Sequence, residues 1–248
     1  ADQKKLVRTL KSLPVKGFDI KISRVMKSGI DACDFDVLLD HDHENHDHDM
    51  KYLHGDDGDF HGHNHEKHHH DHGGSRHHEH RGLDEIMEII DHTDMTDRAK
   101  SYGKRIFKIL AEAEAKAHNV PVNQVHFHEV GAVDSIVDIV GTAACLDELN
   151  VDKVVVSELT EGCGHIRCQH GVLPVPVPAV LEIAAAHHLT FHQIEQEGEM
   201  VTPTGAAIAA LSEGQIPAAY CVKKVGMGAG KREYQNTNIL RAMLIEEK

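Results

Sequence analysis

No apolar run in the 248 residues reaches the roughly 20-residue length of a membrane span, and no charged-then-apolar leader opens the chain. A membrane is therefore not an expected partner. Only five cysteines are present, scattered rather than clustered, so no disulfide framework is expected and a reducing cytoplasm fits best. There is also no basic stripe. Lys and Arg number 26 against 40 Asp and Glu, a formal net charge of -14, which argues against nucleic acid as a partner.

The acidity and the histidine are unevenly spread. Residues 41 to 80 hold fifteen of the 24 histidines and contribute -7 of the net charge, with almost no aliphatic side chains. Such a stretch cannot bury enough surface to offset the entropy of ordering, so 41–81 is expected to be a disordered His/Asp-rich loop. It is interior and interrupted by Asp, Glu, Gly and Asn, unlike a purification tag. Within "HNHEKHHHDH" the residues His63, His65, His68, His69, His70 and His72 offer imidazoles to borderline divalent ions such as Ni, Zn or Cu. The plainer alternative is a polar linker that binds metal incidentally.

Around this insertion the pattern is that of an α/β (α+β) protein, a mixed sheet with flanking helices. Residues 1–40 open the domain with a helix (Leu6, Val7, Leu10, Leu13) and a hairpin formed by "FDIKISRV" and "CDFDVLL". The chain begins at Ala1 directly in that helical pattern and reads as a fragment. Residues 82–248 form the main α/β domain. "LDEIMEII" predicts a short helix, and Tyr102, Ile106, Ile109, Leu110, Ala113 and Ala117 predict a second one ending at Asn119 ahead of Pro121. Strand-like and helical pieces then alternate: "QVHFHEV", "VDSIVDIVGTAACLDEL", "VDKVVVSEL", a Gly/Cys/His loop, "PAVLEIAAAH", "LTFHQI", "TPTGAAIAALS", "AYCVKKVGMG" and "NILRAMLIE".

Four constellations carry chemistry. In "HFHEVGAVDSIVDIVG", His126 and His128 lie two apart on a strand and face one side, Glu129 follows, and Asp134 and Asp138 share a face of the next helix. Together they make a candidate metal site, although Asp134 would equally stabilise a helix N-terminus and His126 a half-buried sheet. In "CGHIRCQHG", Cys163, His165, Cys168 and His170 could close around one ion. The alternative is a turn-rich substrate loop in which Arg167 and His170 meet an anionic group. "VTPTGAA" sets Thr202, Thr204 and Gly205 at a helix start suited to a phosphate or carboxylate, or to plain capping by Thr202. "GMGAGKRE" offers Gly226, Gly228 and Gly230 with Lys231 and Arg232 as an anion loop.

Taken in order behind a His-rich insertion, "VHFHEVGAVDSIVDIVG", "CQHGVLPVPVPA", "GEMVTPTGAA", "VGMGAGKRE" and "NILR" resemble the LarC family, the nickel insertion proteins of nickel-pincer nucleotide synthesis. The resemblance covers nearly the whole chain. It implies a nickel insertase (a cyclometallase of the lyase class) that delivers Ni(II) to pyridinium-3,5-bisthiocarboxylic acid mononucleotide with two Ni–S bonds and one Ni–C bond. The product activates lactate racemase-type enzymes, whose apoenzyme is an implied partner. The family's opening strand with its "GISGDM"-like turn, and its C-terminal domain associated with CTP and Mn(II) or Mg(II), are not recognisable, so the chain reads as the N-terminal part. On this reading the loop collects nickel and the ordered site around His126, His128 and Glu129 holds the ion used. His128, Glu129 or His170 serves as base, and "TPTG" with Lys231 and Arg232 receives the substrate phosphate. A homo-oligomer remains open, as do two other functions: a nickel or zinc storage or chaperone module, and a metal-dependent phosphoester hydrolase.

Calorimetric titration with Ni(II) is expected to show several ions bound by the whole chain and markedly fewer once residues 41–80 are deleted. Equal stoichiometry in the two forms would place the ions elsewhere.

Overall fold

The computed structural model describes residues 1–40, 81–127, 133–168 and 171–248. The disorder expected over 41–81 therefore falls outside the described residues except at its last position, where Arg81 is instead buried in a strand. Helix α1 (Gln3–Lys11) starts where the Asp2 carboxylate accepts from the Lys4 and Lys5 amides at 2.8 and 3.3 Å. Strands β1 (Phe18–Lys27) and β2 (Ile30–Leu39) form the anticipated antiparallel hairpin. Their two-residue turn has Ser28 at φ 48° and Gly29 at φ 80°, the positive values that a tight hairpin with right-twisted strands requires.

The chain re-enters the described structure at β3 (Arg81–Gly82) and passes into α2 (Leu83–His92) and the long α3 (Asp97–His118). The Thr96 hydroxyl caps α3 by accepting from the Ala99 amide at 3.1 Å, and Asn119 closes it in the left-handed conformation at φ 53°, the stop its sequence announces. After β4 (His126–Phe127), α4 (Val133–Leu149) matches "VDSIVDIVGTAACLDEL" residue for residue. Then come β5 (Leu159–Cys163), β6 (His165–Cys168), β7 (Gly171–Pro174), α5 (Pro178–His187), β8 (Phe191–Glu197), α6 (Pro203–Ala209), β9 (Tyr220–Ala229) and β10 (Ile239–Glu247).

The larger sheet has the order β1-β2-β9-β10, with antiparallel outer pairs and a parallel junction at Cys33 and Gly228, so the mixed sheet is real. The remaining described strands form separate pairs: β3 with β4, β5 parallel to β8, and β6 antiparallel to β7. Two expectations change. "VDKVVVSEL" is extended but enters a ladder only at Leu159, because the Val154 carbonyl and Val156 amide bond instead to Glu213 and Ser212 beyond α6. The Gly/Cys/His "loop" is itself β-structure, the end of β5 and the β6–β7 hairpin.

The core is helical and centred on α3. Its Ile106, Phe107 and Leu110 are fully buried against α2, α4, α5 and α6, each side chain contributing on the order of 1.5–3 kcal/mol of apolar transfer. Phe107 meets Phe127 of β4 edge-on, ring centroids 6.2 Å apart, so the core is fastened to the strand that bears His126. Helix α1 lies on α4, with Leu10 packed over Gly141. No described helix is long and apolar enough to cross a membrane.

Phe107→Ala is expected to destabilise the fold by about 3–5 kcal/mol in chemical denaturation, since it empties the centre of this cluster. A loss under about 1 kcal/mol would mean that the core closes over the gap.

Candidate functional site

Strand β8 runs parallel to β5, and at its end the chain folds across Gly162. A Cβ on Gly162 would stand 2.0 Å from the Gly198 carbonyl oxygen and 2.6 Å from that of Gln196, so only glycine fits. The Gly198 amide donates to the Cys163 carbonyl at 3.0 Å, and beyond Gly164 (φ 82°) the chain turns into the β6–β7 hairpin. The Val175 amide donates back to the Gly164 carbonyl at 3.0 Å, just before the cis Val175–Pro176 bond. Cys168 is half-buried near the hairpin tip and Arg167 is exposed on the other face of β6.

Between these strands lies Glu161, fully buried. Its Oε1 accepts from three backbone amides, Met200 at 2.7 Å, Gly162 at 2.8 Å and Val201 at 3.3 Å. Its Oε2 is buried with no hydrogen-bond partner among the described residues. The segment so held leads into α6, where the Thr202 hydroxyl accepts from the Gly205 amide at 3.2 Å. The "TPTG" start is therefore a formed N-cap; Thr204 is half-buried and Gly205 exposed. On its other side the same segment receives the loop after β9. The Glu199 carbonyl accepts from Arg232 Nη1 at 3.1 Å and from the Tyr234 hydroxyl at 2.7 Å, and the buried Glu199 carboxylate lies 3.9 Å from Arg232.

Two of the four motifs, "VTPTGAA" and "GMGAGKRE", thus meet at residues 199–202, and "CGHIRCQHG" begins beside them, where the Cys163 carbonyl accepts from the Gly198 amide. The fourth, His126 to Asp138, reaches them through the shared core, since α4 packs against α6 and Phe127, Val133 and Val201 belong to one cluster. Gly226 and Gly228 lie within β9, not in an anion loop, and only Gly230 is in the connection, where a Cβ would strike the Asn238 side chain at 2.4 Å. Lys231 pairs with Asp36 of β2 and Lys27 with Glu233 at 2.6 Å, so this connection is pinned to the first hairpin as well.

Of the expected metal group, Asp134 is half-buried in the first turn of α4 and Asp138 is exposed one turn on. His126 lies on β4, which pairs with β3 so that Arg81 faces Phe127 and Gly82 faces His126. The first described residues after the His-rich insertion, Arg81 and Gly82, therefore lie directly beside that strand. His128, Glu129 and His170 lie outside the described residues, as do His63, His65, His68, His69, His70 and His72. Among the described residues no three His, Cys, Asp or Glu side chains are grouped so as to hold a metal ion. All five cysteines are free, and burial pushes the Cys145 thiol of α4 above its ordinary range, which suits a structural role. Glu161 and Gly162 were not singled out by motif reading. The signal was present, since Leu159, Glu161 and Cys163 share one face of a strand and a lone acid there is unusual.

Comparison with known proteins places the whole chain. The family model described as "Nickel insertion protein" matches residues 1–248. The chain is 49% identical to the pyridinium-3,5-bisthiocarboxylic acid mononucleotide nickel insertion protein of Alkaliphilus metalliredigens, over 100% of this chain and 55% of that protein. It is 41% identical to the protein of the same name from Acetivibrio thermocellus, over 96% of this chain and 52% of the relative. A putative nickel insertion protein of Dictyoglomus thermophilum is 34% identical over 99% of this chain and 54% of its own length. The chain thus spans about half the length of these curated relatives. No solved structure matches it.

Gly162→Ala is expected to destabilise the protein by at least about 2 kcal/mol in urea denaturation, whereas Gly226→Ala, which meets nothing within 4 Å, stays close to wild type. Equal effects of the two changes would show that β8 does not close on Gly162.

Proposed function

Because the chain belongs to the nickel insertion protein family, we propose that it loads Ni(II) into pyridinium-3,5-bisthiocarboxylic acid mononucleotide during nickel-pincer cofactor synthesis. The observation that carries the reading is the family match over residues 1–248, joined by close relatives whose names state that substrate. Nickel is the cargo. Two thiocarboxylate sulfurs and one ring carbon become its ligands, and the ring C–H bond must break as the Ni–C bond forms. Its electron pair goes to nickel and its proton to a base, for which His128, Glu129 and His170 are the candidates.

The work divides by what each part can do. Many imidazoles interleaved with carboxylates bind Ni(II) exchangeably and raise its local concentration. Insertion needs one geometry, and the strand bearing His126 is fastened to the core through Phe127 and Phe107. The pairing of β3 with β4 supports a handover, because Arg81 and Gly82, the residues that follow the collector in sequence, are paired with the strand that starts the ordered site. Asp134, Asp138 and Cys168 complete the candidate metal ligands. Arg167, Thr202, Thr204, Gly205, Lys231 and Arg232 make up the candidate rim for the substrate. CTP with Mn(II) or Mg(II) would act through the part of the relatives that this chain does not span. The reading places the protein in the reducing cytoplasm, consistent with free cysteines, and supplying cofactor to a lactate racemase-type apoenzyme.

The test combines the chain, with and without residues 41–80, with the dithiocarboxylate mononucleotide, CTP, Mn(II) and excess Ni(II), and detects the nickel-bearing product by mass spectrometry. Both forms are expected to yield product at saturating nickel. Product from the intact chain alone would move the insertion site into the loop; no product from either, with nickel still bound, would make the chain the metal-loading half of an enzyme whose activating part must be supplied. His126→Ala with His128→Ala is expected to abolish product while sparing most bound nickel, and unchanged turnover in that double variant would remove β4 from the site.

A further inference from the structure

Glu161 has a chemistry that no motif assigned to it. A fully buried carboxylate gathers three backbone N–H groups on one oxygen, while its second oxygen is left buried and without a hydrogen-bond partner among the described residues. Charge-assisted hydrogen bonds to a carboxylate are about twice as strong as neutral ones, which explains why an acid rather than an amide collects these donors. A bare buried oxygen is nonetheless unfavourable, and such groups call for an explanation beyond stability.

The connections supply one. Two of the three donors, Met200 and Val201, belong to the segment whose preceding carbonyl, that of Glu199, receives Arg232 and Tyr234. The next residue, Thr202, caps α6. The third donor, Gly162, sits at the start of the turn into the hairpin bearing Arg167 and Cys168. A displacement of Glu161 would therefore move the "TPTG" start directly and the Lys231–Tyr234 connection through the Glu199 carbonyl. Among the described residues, its Oε1 joins the backbone of residues 200–201 at one atom to that of Gly162, where the chain turns towards the Cys168 hairpin.

We infer that Glu161 is a positioning residue: its Oε1 fixes residues 199–202 and, through the Glu199 carbonyl, the Arg232–Tyr234 connection, so that the rim proposed to receive the mononucleotide is assembled before the substrate arrives. The inference rests on the proposed function for the ligand's identity, but not for the coupling itself. Glu161 touches no reacting atom in this scheme. It acts by holding backbone.

A double-mutant cycle with Glu161→Gln and Tyr234→Phe, on the full chain, tests it with two readouts. Without ligand, hydrogen exchange in Glu161→Gln is expected to quicken both at residues 198–202 and at residues 231–235, while α3 keeps its protection. Unchanged exchange at 231–235 overturns the proposal. With the dithiocarboxylate mononucleotide as probe, Glu161→Gln is expected to weaken Kd about tenfold, the order that loss of one charge-assisted hydrogen bond gives. The double variant is expected to lose less than the product of the two single losses, the mark of residues in one network. Independent, multiplicative losses, or a Kd equal to wild type, would reject the coupling. Wild type that shows the exchange coupling but no mononucleotide binding would instead reject the substrate reading alone. Should Glu161→Gln fail to fold, Glu161→Asp, which keeps the charge one methylene short, carries the same measurements.

Discussion

The buried stripe of α3 is the constraint from which the arrangement follows. Ile106, Phe107 and Leu110 have no water contact, and four other helices are placed by packing on them. Because protein interiors are close-packed, those helices cannot slide independently. The edge-on contact of Phe107 with Phe127 carries the constraint out to β4, and Val201, in the same cluster, carries it to the foot of α6. Both ends of the candidate site are thus anchored in one apolar body. They are separated in sequence by about a third of the chain.

On that body a polar hub is built by a different kind of force. Apolar packing is non-directional and sets spacing, but it does not fix the angle of a backbone segment. Glu161 does this for residues 200–201, and Arg232 and Tyr234 do it for Glu199 from the opposite side. Gly162 makes the arrangement sterically feasible, since any larger residue would push away the chain that Glu161 holds. The two residues are adjacent in sequence because one opens the space that the other fills with hydrogen bonds.

How much of this was legible in the sequence depends on the range of the force involved. The hairpin turn at Ser28–Gly29, the stop at Asn119 and the span of α4 are local matters of φ, capping and periodicity, and the sequence announces each of them. The pairing of β5 with β8, and the Met200 and Val201 donors of Glu161, span some 30 to 40 residues of sequence that carry no local signature of the contact. Segment 152–158 misleads for the same reason: its valines suit a strand, but its hydrogen bonds go to Ser212 and Glu213. The glycines of "GMGAGKRE" resemble an anion loop only until Gly226 and Gly228 are seen paired in β9. The family resemblance was legible because it rests on long motifs in fixed order, which need no tertiary knowledge.

The rim's two adjacent cations are not equivalent in the proposed reading. Lys231 pairs with Asp36 from the solvent side, its own side chain 65% exposed while that of Asp36 is 18% exposed. An arriving phosphate can reach this ammonium without entering the fold. Arg232 donates to the Glu199 backbone carbonyl at 3.1 Å and faces the buried Glu199 carboxylate at 3.9 Å, so two contacts to one residue hold it in place. A substrate phosphate would therefore recruit Lys231 and leave Arg232 in place, which makes Arg232 part of the frame and Lys231 the part that meets the ligand.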